Sequence, residues 1–313
     1  MHVYRTLAAL RQAHLDEPRG CVATIGSCDG IHLGHQAVIR EVRARADELG
    51  AAALVFSFEP LPREYFSRNN PPGRLTRFRE RASLLDELGV DRFFCPRFDE
   101  RMRQVGVQEF IDKVVVQAMG TKCLVVGDDF RFARDRQGTT ADLKEAGRNN
   151  GFDVVQVDSV IVDGERASST AIRDALGEGD LDRAASMLGR PYTMTGRVKY
   201  GRQLGRTMGF PTANVDPGRR NCAVTGVFAV QVHGIAAEPL PAVANVGVRP
   251  TVHGSGQVIL EAHLFDFDQD IYGELMTVEF VARIRDEMKF ENLDALVNQI
   301  GKDCAEARRI LGI

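Results

Sequence analysis

The chain has no CxxC pair. Its six cysteines (Cys21, Cys28, Cys95, Cys123, Cys222 and Cys304) are scattered over 313 residues. This excludes the disulfide framework of a small secreted domain and fits reduced thiols in a cytoplasmic protein. No apolar run reaches membrane-spanning length, so no membrane partner is expected. Met1-His2-Val3-Tyr4-Arg5 also lacks the apolar core of a signal peptide. A basic excess is missing: 40 Lys and Arg stand against 43 Asp and Glu, for a net charge of −3. A general nucleic-acid binder is therefore not expected. There is no Walker loop, no three-glycine dinucleotide fingerprint, no internal repeat and no low-complexity segment. What remains is 44% hydrophobic and 27% charged residues in a chain long enough for two globular domains.

Strand-like and helix-like segments alternate through the first part. Strands are predicted at Cys21–Ile25, Ala53–Phe58, Arg92–Cys95, Cys123–Val126 and Val154–Val157. Helices are predicted at Gln36–Leu49, Thr76–Leu88, Val107–Met119 and Thr170–Leu176. Such alternation predicts a doubly wound parallel sheet, with ligands at the carboxyl ends of its strands. The basic cluster Arg74, Arg77, Arg79 and Arg81 reads as a solvated helix face. After a short helix at Leu181–Leu188, Gly189-Arg190-Pro191 breaks the pattern, and short β-rich runs follow. These lie at Thr193–Lys199, Val227–Val232, Ala242–Val246, Val258–Phe265 and Leu275–Ala282, an antiparallel barrel or sandwich. Asn292 caps a last helix whose stripe of Leu293, Leu296, Val297, Ile300, Ala307, Ile310 and Leu311 should pack on the barrel. The expected domains are 1–186 and 187–313.

The most informative stretch is Gly26-Ser-Cys28-Asp29-Gly30-Ile-His32-Leu-Gly34-His35. It joins a strand to a helix, where backbone N–H groups and the helix dipole favour anions, and its glycines leave room for a polyphosphate. His-x-Gly-His at such a junction is the signature of adenylyl- and cytidylyl-transferases, in which imidazoles stabilise a five-coordinate α-phosphate. Two other readings stand beside it: a zinc site using Cys28, His32 and His35, and ordinary turn histidines. Further on, Phe56-Ser-Phe58-Glu59-Pro60-Leu-Pro62 is either a stiff surface loop or the wall of a planar ligand's pocket. Gly127-Asp128-Asp129-Phe130-Arg131-Phe132 puts carboxylates at a strand end, for a hydroxyl, a metal or a ring nitrogen, or simply for a turn. Ser168-Ser169-Thr170-Ala171-Ile172-Arg173 opens a helix with hydroxyls and a cation, a second anion-binding element or no more than a good cap.

In the second part, the stretch from Gly201 to Asn214 combines glycines for close approach, Arg202 and Arg206 for phosphates, Thr212 as a possible Mg²⁺ ligand and Asn214. A glycine-rich hairpin connection is the alternative. In Val258–Phe265, alternation puts Glu261, His263 and Phe265 on one face and Leu260, Ala262 and Leu264 on the other.

These motifs, in this order, resemble the bacterial bifunctional riboflavin kinase/FAD synthetase family over essentially the whole chain. The first part is similar to the FMN adenylyltransferase half through His-x-Gly-His, Phe-x-Phe-Glu-Pro-x-Pro, Gly-x-Asp-Phe-x-Phe and Ser-Ser-Thr-x-Ile-Arg. The second is similar to riboflavin kinases through Pro211-Thr212-Ala213-Asn214, Asn245-Val-Gly-Val-Arg-Pro-Thr251 and Arg285-Asp-Glu-Met-Lys-Phe290. The resemblance implies that Gly26, Asp29, Gly30, His32, His35, Ser169, Thr170 and Arg173 serve ATP in the first domain. It places Phe58, Pro60, Pro62, Asp129 and Phe130 at the flavin. In the kinase it implies ATP at Gly201, Gly205, Thr212 and Asn214, Mg²⁺ on Thr212, flavin beside Arg285, and Glu261 as catalytic base. Two positions depart from the family pattern. Cys28 stands where Phe is usual and Ala133 where Gly is common, and both bear on loop conformation.

The expected activity is phosphorylation of riboflavin to FMN and adenylylation of FMN to FAD, with Mg²⁺ accompanying ATP and no prosthetic group. The expected partners are the small molecules riboflavin, FMN and ATP; the sequence leaves oligomeric state open. Two rival readings are a different nucleotidyltransferase with a regulatory second domain, and a non-catalytic flavin-binding protein.

Overall fold

The computed structural model describes all residues except 202–204, 206–207 and 250–256, with backbone alone at 248, 249 and 257. Arg202, Gln203, Leu204, Arg206, Thr207, Pro250 and Thr251 of the sequence motifs thus lie outside the described residues. Two compact units emerge. One comprises 1–71 and 78–167, the other 72–77 and 168–313.

In the first unit six strands form one sheet: β1 (His2–Tyr4), β2 (Cys21–Ile25), β3 (Ala52–Phe56), β4 (Arg92–Phe94), β5 (Thr121–Gly127) and β6 (Asp153–Val157), in the order β1-β4-β3-β2-β5-β6. Every pairing is parallel. A two-stranded hairpin of β7 (Ile161–Val162) and β8 (Glu165–Arg166) follows. All residues of β2 and β3 are buried, as a sheet covered on both faces requires. Cys21, Ala23 and Ile25 join the core on one face with Phe110, Val114 and Met119. Val22 points the other way, towards Val42 and Ala46. The connection from β2 runs to β3 on one side, whereas β5 lies on the opposite side of β2. The sheet therefore reverses its winding between β2 and β5, where such folds open a crevice at the carboxyl ends.

The predicted strands of this unit are present, with ends shifted by one or two residues and with β1, β7 and β8 added. Helices Leu33–Glu48 and Phe78–Glu87 match expectation, while Phe110–Ala118 is wound as a π-helix. Leu7–Asp16 and Thr140–Asn150 were not anticipated; their apolar stripes are short, with only one buried residue in the first.

The second unit is a closed antiparallel barrel of β9 (Thr193–Lys199), β10 (Ala213–Asp216), β11 (Gly226–His233), β12 (Leu240–Arg249), β13 (Gln257–Leu264) and β14 (Leu275–Arg285). Its order is β10-β13-β12-β11-β14-β9, and β9 returns to β10. On β13, Leu260, Ala262 and Leu264 are buried while Glu261 and His263 are half-buried, as expected, but Phe265, expected on the Glu261 face, is buried just past the end of the strand. Asn292 caps the last helix, Leu293–Leu311, by accepting from the Ala295 N–H. Cys304, Ala307, Ile310 and Leu311 pack against Val227, Ala229 and Val243 of the barrel. The predicted stripe fails at its start, since Leu293 is 62% exposed. The four-residue β10 escaped prediction because Pro211 and the glycines before it mask so short a run.

The helices Ser169–Glu178 and Leu181–Leu188 pack on each other, and the second of them packs on β14, so both fold with the barrel. Residues 72–77 join them. Arg173 donates from Nε to the Gly73 carbonyl at 2.6 Å, and the buried Arg219 donates to the Leu75 carbonyl at 3.1 Å.

Candidate active sites

In the first unit the histidine turn occupies the carboxyl end of β2, at the reversal of winding. His32 caps helix Leu33–Glu48 with its side chain: Nδ1 accepts the His35 backbone N–H at 3.4 Å. Its proton in the neutral form is therefore on Nε2. The two rings stack with centroids 3.7 Å apart, tilted by 31°. His35 Nδ1 is buried without a hydrogen-bond partner. Burial, followed by the positive charge of Arg81, pushes the His35 imidazole down to about 4. His35 is thus neutral at physiological pH. Gly34 leaves the rings room, since a Cβ there would lie 3.2 Å from His32 Cε1. Gly30 adopts φ +88°, the left-handed conformation that favours glycine.

Cys28 does not join the histidines. It packs with Ile31, Ile39, Val55, Leu85 and Phe93, and burial pushes its thiol up to about 12. A protonated thiol in an apolar cluster is a poor zinc ligand, which removes the zinc alternative. Among the described residues no three His, Cys, Asp or Glu side chains are grouped to hold a metal.

The expected solvated face of Arg74, Arg77, Arg79 and Arg81 is corrected by the structure: only Arg79 is exposed, and Arg81 is fully buried. Its guanidinium donates to the Ser27 carbonyl (3.0 Å), the Ser57 hydroxyl (3.0 Å), the Phe58 carbonyl (3.2 Å) and the Glu59 carboxylate (2.7 Å). The signal lay in the spacing: Phe78, Arg81, Ala82 and Leu85 form an i, i+3, i+4, i+7 stripe with an arginine in it. Phe58 opens the Phe58–Pro62 loop among aromatic rings, edge-on to Phe98 at 5.3 Å, with Tyr65 and Phe66 also against Phe98. Pro60 and Pro62 are half-buried beside it.

After β5, across the same reversal, Asp128 and Asp129 share one cation. Arg166 approaches Asp128 at 3.2 Å and Asp129 at 3.1 Å, and Ser159 donates to Asp128 at 2.7 Å. That serine bond, with Arg166 behind it, holds the Asp128 carboxyl below its usual range. Ser159 and Arg166 carried no sequence signal, because hairpin residues meet β5 only in three dimensions. Phe130 stacks on Phe132 at 5.9 Å. The two family departures, Cys28 and Ala133, both adopt positive φ, +48° and +61°.

Ser169, Thr170 and Arg173 stand in the first turn of helix Ser169–Glu178, capped by the Ser168 hydroxyl. By contacts they are grouped with the second compact unit.

On the barrel, register aligns Asn214 of β10, Glu261 of β13 and Asn245 of β12 side by side. The three half-buried residues form one row across adjacent strands. Gly201 lies so close to the Asn214 amide that a Cβ could not fit between them. Gly205 is likewise packed too tightly for a side chain: an added Cβ would stand 2.3 Å from the Phe210 carbonyl oxygen and 3.2 Å from the Thr212 hydroxyl. His263 donates from Nδ1 to the Pro211 carbonyl (2.8 Å), fixing the start of Pro211–Asn214. Arg285 was expected beside the flavin. Its guanidinium instead grips Asp303 of the last helix at 2.6 and 2.9 Å, with Gln299 donating to the same carboxylate at 2.9 Å.

Comparison with known proteins follows this layout. The family model described as FAD synthetase matches residues 14–171, and that described as riboflavin kinase matches 188–311. A bifunctional riboflavin kinase/FMN adenylyltransferase of Pseudomonas fluorescens is 46% identical, over 99% of this chain and 98% of its own length. Its counterpart in Escherichia coli strain K12 is 43% identical, over 100% and 99%. A solved Streptococcus pneumoniae structure, described as a macrolide-efflux protein, is 31% identical with a TM-score of 0.75, covering 92% of this chain and 94% of that one. Among the described residues no helix is long and apolar enough to cross a membrane. Two domain matches in the order of the two units, and relatives aligned from end to end, make this chain a member of the bifunctional riboflavin kinase/FMN adenylyltransferase family.

Proposed function

We propose that this chain makes FMN from riboflavin and then FAD from FMN, using ATP twice, with residues 1–186 serving adenylylation and 187–313 phosphorylation. The observation that carries the reading is that each compact unit has its own cluster of the motif residues read for ATP chemistry. One is the stacked histidine pair at the winding reversal of the parallel sheet, and the other is the Asn214–Glu261–Asn245 row beside the glycine-lined Thr212.

In adenylylation an oxygen of the FMN phosphate attacks the α-phosphorus of ATP, the bond to the bridging oxygen breaks, and pyrophosphate leaves. His32, with its proton on Nε2, and neutral His35 are hydrogen-bond donors for the charge that gathers on the α-phosphoryl oxygens. The helix start behind them adds its dipole, and Gly26, Asp29 and Gly30 shape the turn. Ser169, Thr170 and Arg173 supply a second anion-binding element. The flavin rests against Phe58, Pro60 and Pro62, with Asp129 and Phe130 on its other side.

In the kinase, the Glu261 carboxylate takes the proton of the riboflavin 5′-hydroxyl as the oxygen attacks the γ-phosphorus and ADP leaves. Asn214 and Asn245 flank Glu261 on the neighbouring strands, while Gly201 and Gly205 let the chain pack closely against Asn214 and Phe210 beside it. Mg²⁺ comes with ATP. The half-buried Thr212 offers a hydroxyl oxygen, a hard ligand suited to a hard cation that keeps water and phosphate as its other ligands, so Thr212 would hold it, shielding the polyphosphate charge. Among rival readings, a regulatory barrel needs neither Thr212 nor Glu261, and a flavin store needs neither ATP motif.

The test is one incubation of the purified protein with riboflavin, ATP and Mg²⁺, following ADP, pyrophosphate and flavin products together. ADP and FMN followed by pyrophosphate and FAD is the expected result. Pyrophosphate without FMN formation would favour another nucleotidyltransferase, and flavin binding with no turnover would favour a store.

A further inference from the structure

We propose that Arg81 is a positioning residue for adenylyl transfer, a buried clamp that fixes the histidine turn against the flavin-side loop. The inference rests on reading the first unit as the adenylyltransferase. Arg81 is 0% exposed, and its partners belong to two different loops. Ser27 lies on the turn that follows β2, between Gly26 and Cys28, whereas Ser57, Phe58 and Glu59 lie on the exit from β3. Ser57 adds a cross-tie by donating to the same Ser27 carbonyl at 2.8 Å. The first loop leads to His32 and His35, which face the α-phosphate. The second leads into Pro60–Pro62, which faces the flavin carrying the attacking phosphate. In-line attack depends on the separation of these two groups, and a planar fork with four bonds sets that separation more rigidly than a single contact could.

A buried guanidinium is costly unless its donors are met, and here a carboxylate and three neutral acceptors meet four of them. Nε is the exception, buried without a partner. No apolar side chain of similar shape would reproduce these links. The charge also reaches the chemistry. The titratable and charged groups around the turn are His32, Asp29 and Cys28 on the turn itself, Cys95 after β4, Glu59 after β3 and Arg81 from helix Phe78–Glu87. Of these, Arg81 is the one that depresses His35, after burial itself. The clamp therefore also keeps the phosphate-facing imidazole neutral.

Two substitutions separate the fork from the charge. Arg81→Lys keeps a cation but loses the planar pattern. Arg81→Met keeps length and loses both. Each is assayed in the full chain for FMN adenylylation and, as an internal control for the second unit, for riboflavin phosphorylation. Both variants are expected to lose about 10²-fold in adenylylation kcat with ATP KM changed far less, and to phosphorylate riboflavin at the parent rate. Between roughly pH 5 and 8 the lysine variant should follow the parent profile. The methionine variant should lose rate towards the acid end relative to the lysine variant, as the His35 pKa rises above about 4 once the Arg81 charge is gone, burial still holding it down. Parent-like kcat in both variants would overturn the proposal. So would equal losses in both reactions, which would make Arg81 a general support of the fold. If the parent itself failed to adenylylate FMN, the functional reading would fall instead.

Discussion

Replacing Ala133 by glycine should make the first unit more stable. Ala133 adopts φ +61°, ψ −170°, a region that is essentially reserved for glycine. Holding an L-residue there costs about 1–3 kcal/mol. Against this, glycine loses more freedom on folding, about 0.5–1 kcal/mol. Removing a partly buried methyl that touches the core containing Phe110 and Phe132 forfeits at most about 0.8 kcal/mol. Taking the middle of each range, the balance is about 0.5–1 kcal/mol in favour of Ala133→Gly, or roughly 2 °C in Tm for a unit of this size. The strain is concentrated locally, because Asp135 and Arg136 also have positive φ, +52° and +57°, within the loop closed by the Phe132–Gly138 bridge. Calorimetry gives the shift, and residual adenylylation after graded heating, set against residual riboflavin phosphorylation, separates the first unit from the second. Ala133→Val serves as the opposite arm: a β-branched residue at this φ should lower Tm. A glycine variant that melts at or below the parent temperature would refute the strain argument.

Three further outcomes are expected. Glu261→Gln keeps its volume between Asn214 and Asn245 but cannot accept the proton, so riboflavin phosphorylation should fall about 10²–10⁴-fold while FAD formation from added FMN continues; unimpaired FMN production, read by chromatography, would remove Glu261 from the mechanism. His32→Ala and His35→Ala should each lower adenylylation by about 10²–10³ and spare the kinase, and parent-rate FAD synthesis from FMN by either would mean the turn was misread. Thr212→Ala should weaken kinase turnover and its response to Mg²⁺, checked by a metal titration of FMN formation; an unchanged response would count against the hydroxyl as a ligand.

Much of this architecture was legible in the chain because each unit follows one periodicity. The fully buried Cys21–Ile25 run and the alternating Val258–Leu264 run announce a parallel and an antiparallel sheet before any contact is known. The candidate motifs were legible because strand ends and helix starts are local. What escaped was non-local. Arg81 and Asp303 are charged residues in otherwise apolar helical stripes, and their partners lie on other elements, Ser27 and Glu59 for one and Arg285 for the other. Spacing alone reports that such a residue faces inward, not what meets it. Ser159 and Arg166 were invisible for the same reason. Leu293 errs in the other direction: it satisfies the stripe of the last helix but precedes the part that reaches the barrel.

The short strap at residues 72–77 gives the chain an order of assembly. It is made early, yet its carbonyl at Gly73 is held by Arg173, 100 residues later, and that at Leu75 by Arg219, 144 residues later. At ribosomal speeds of about 5–20 residues per second, the second partner emerges on the order of 10 s after the strap. During that interval the strands on either side of it, β3 and β4, already have each other as neighbours, while the strap between them is a tether with nothing to grip. Its fastening is a record that the later half has folded, which makes cleavage within Pro72–Arg77 a clock for the completion of the nascent chain.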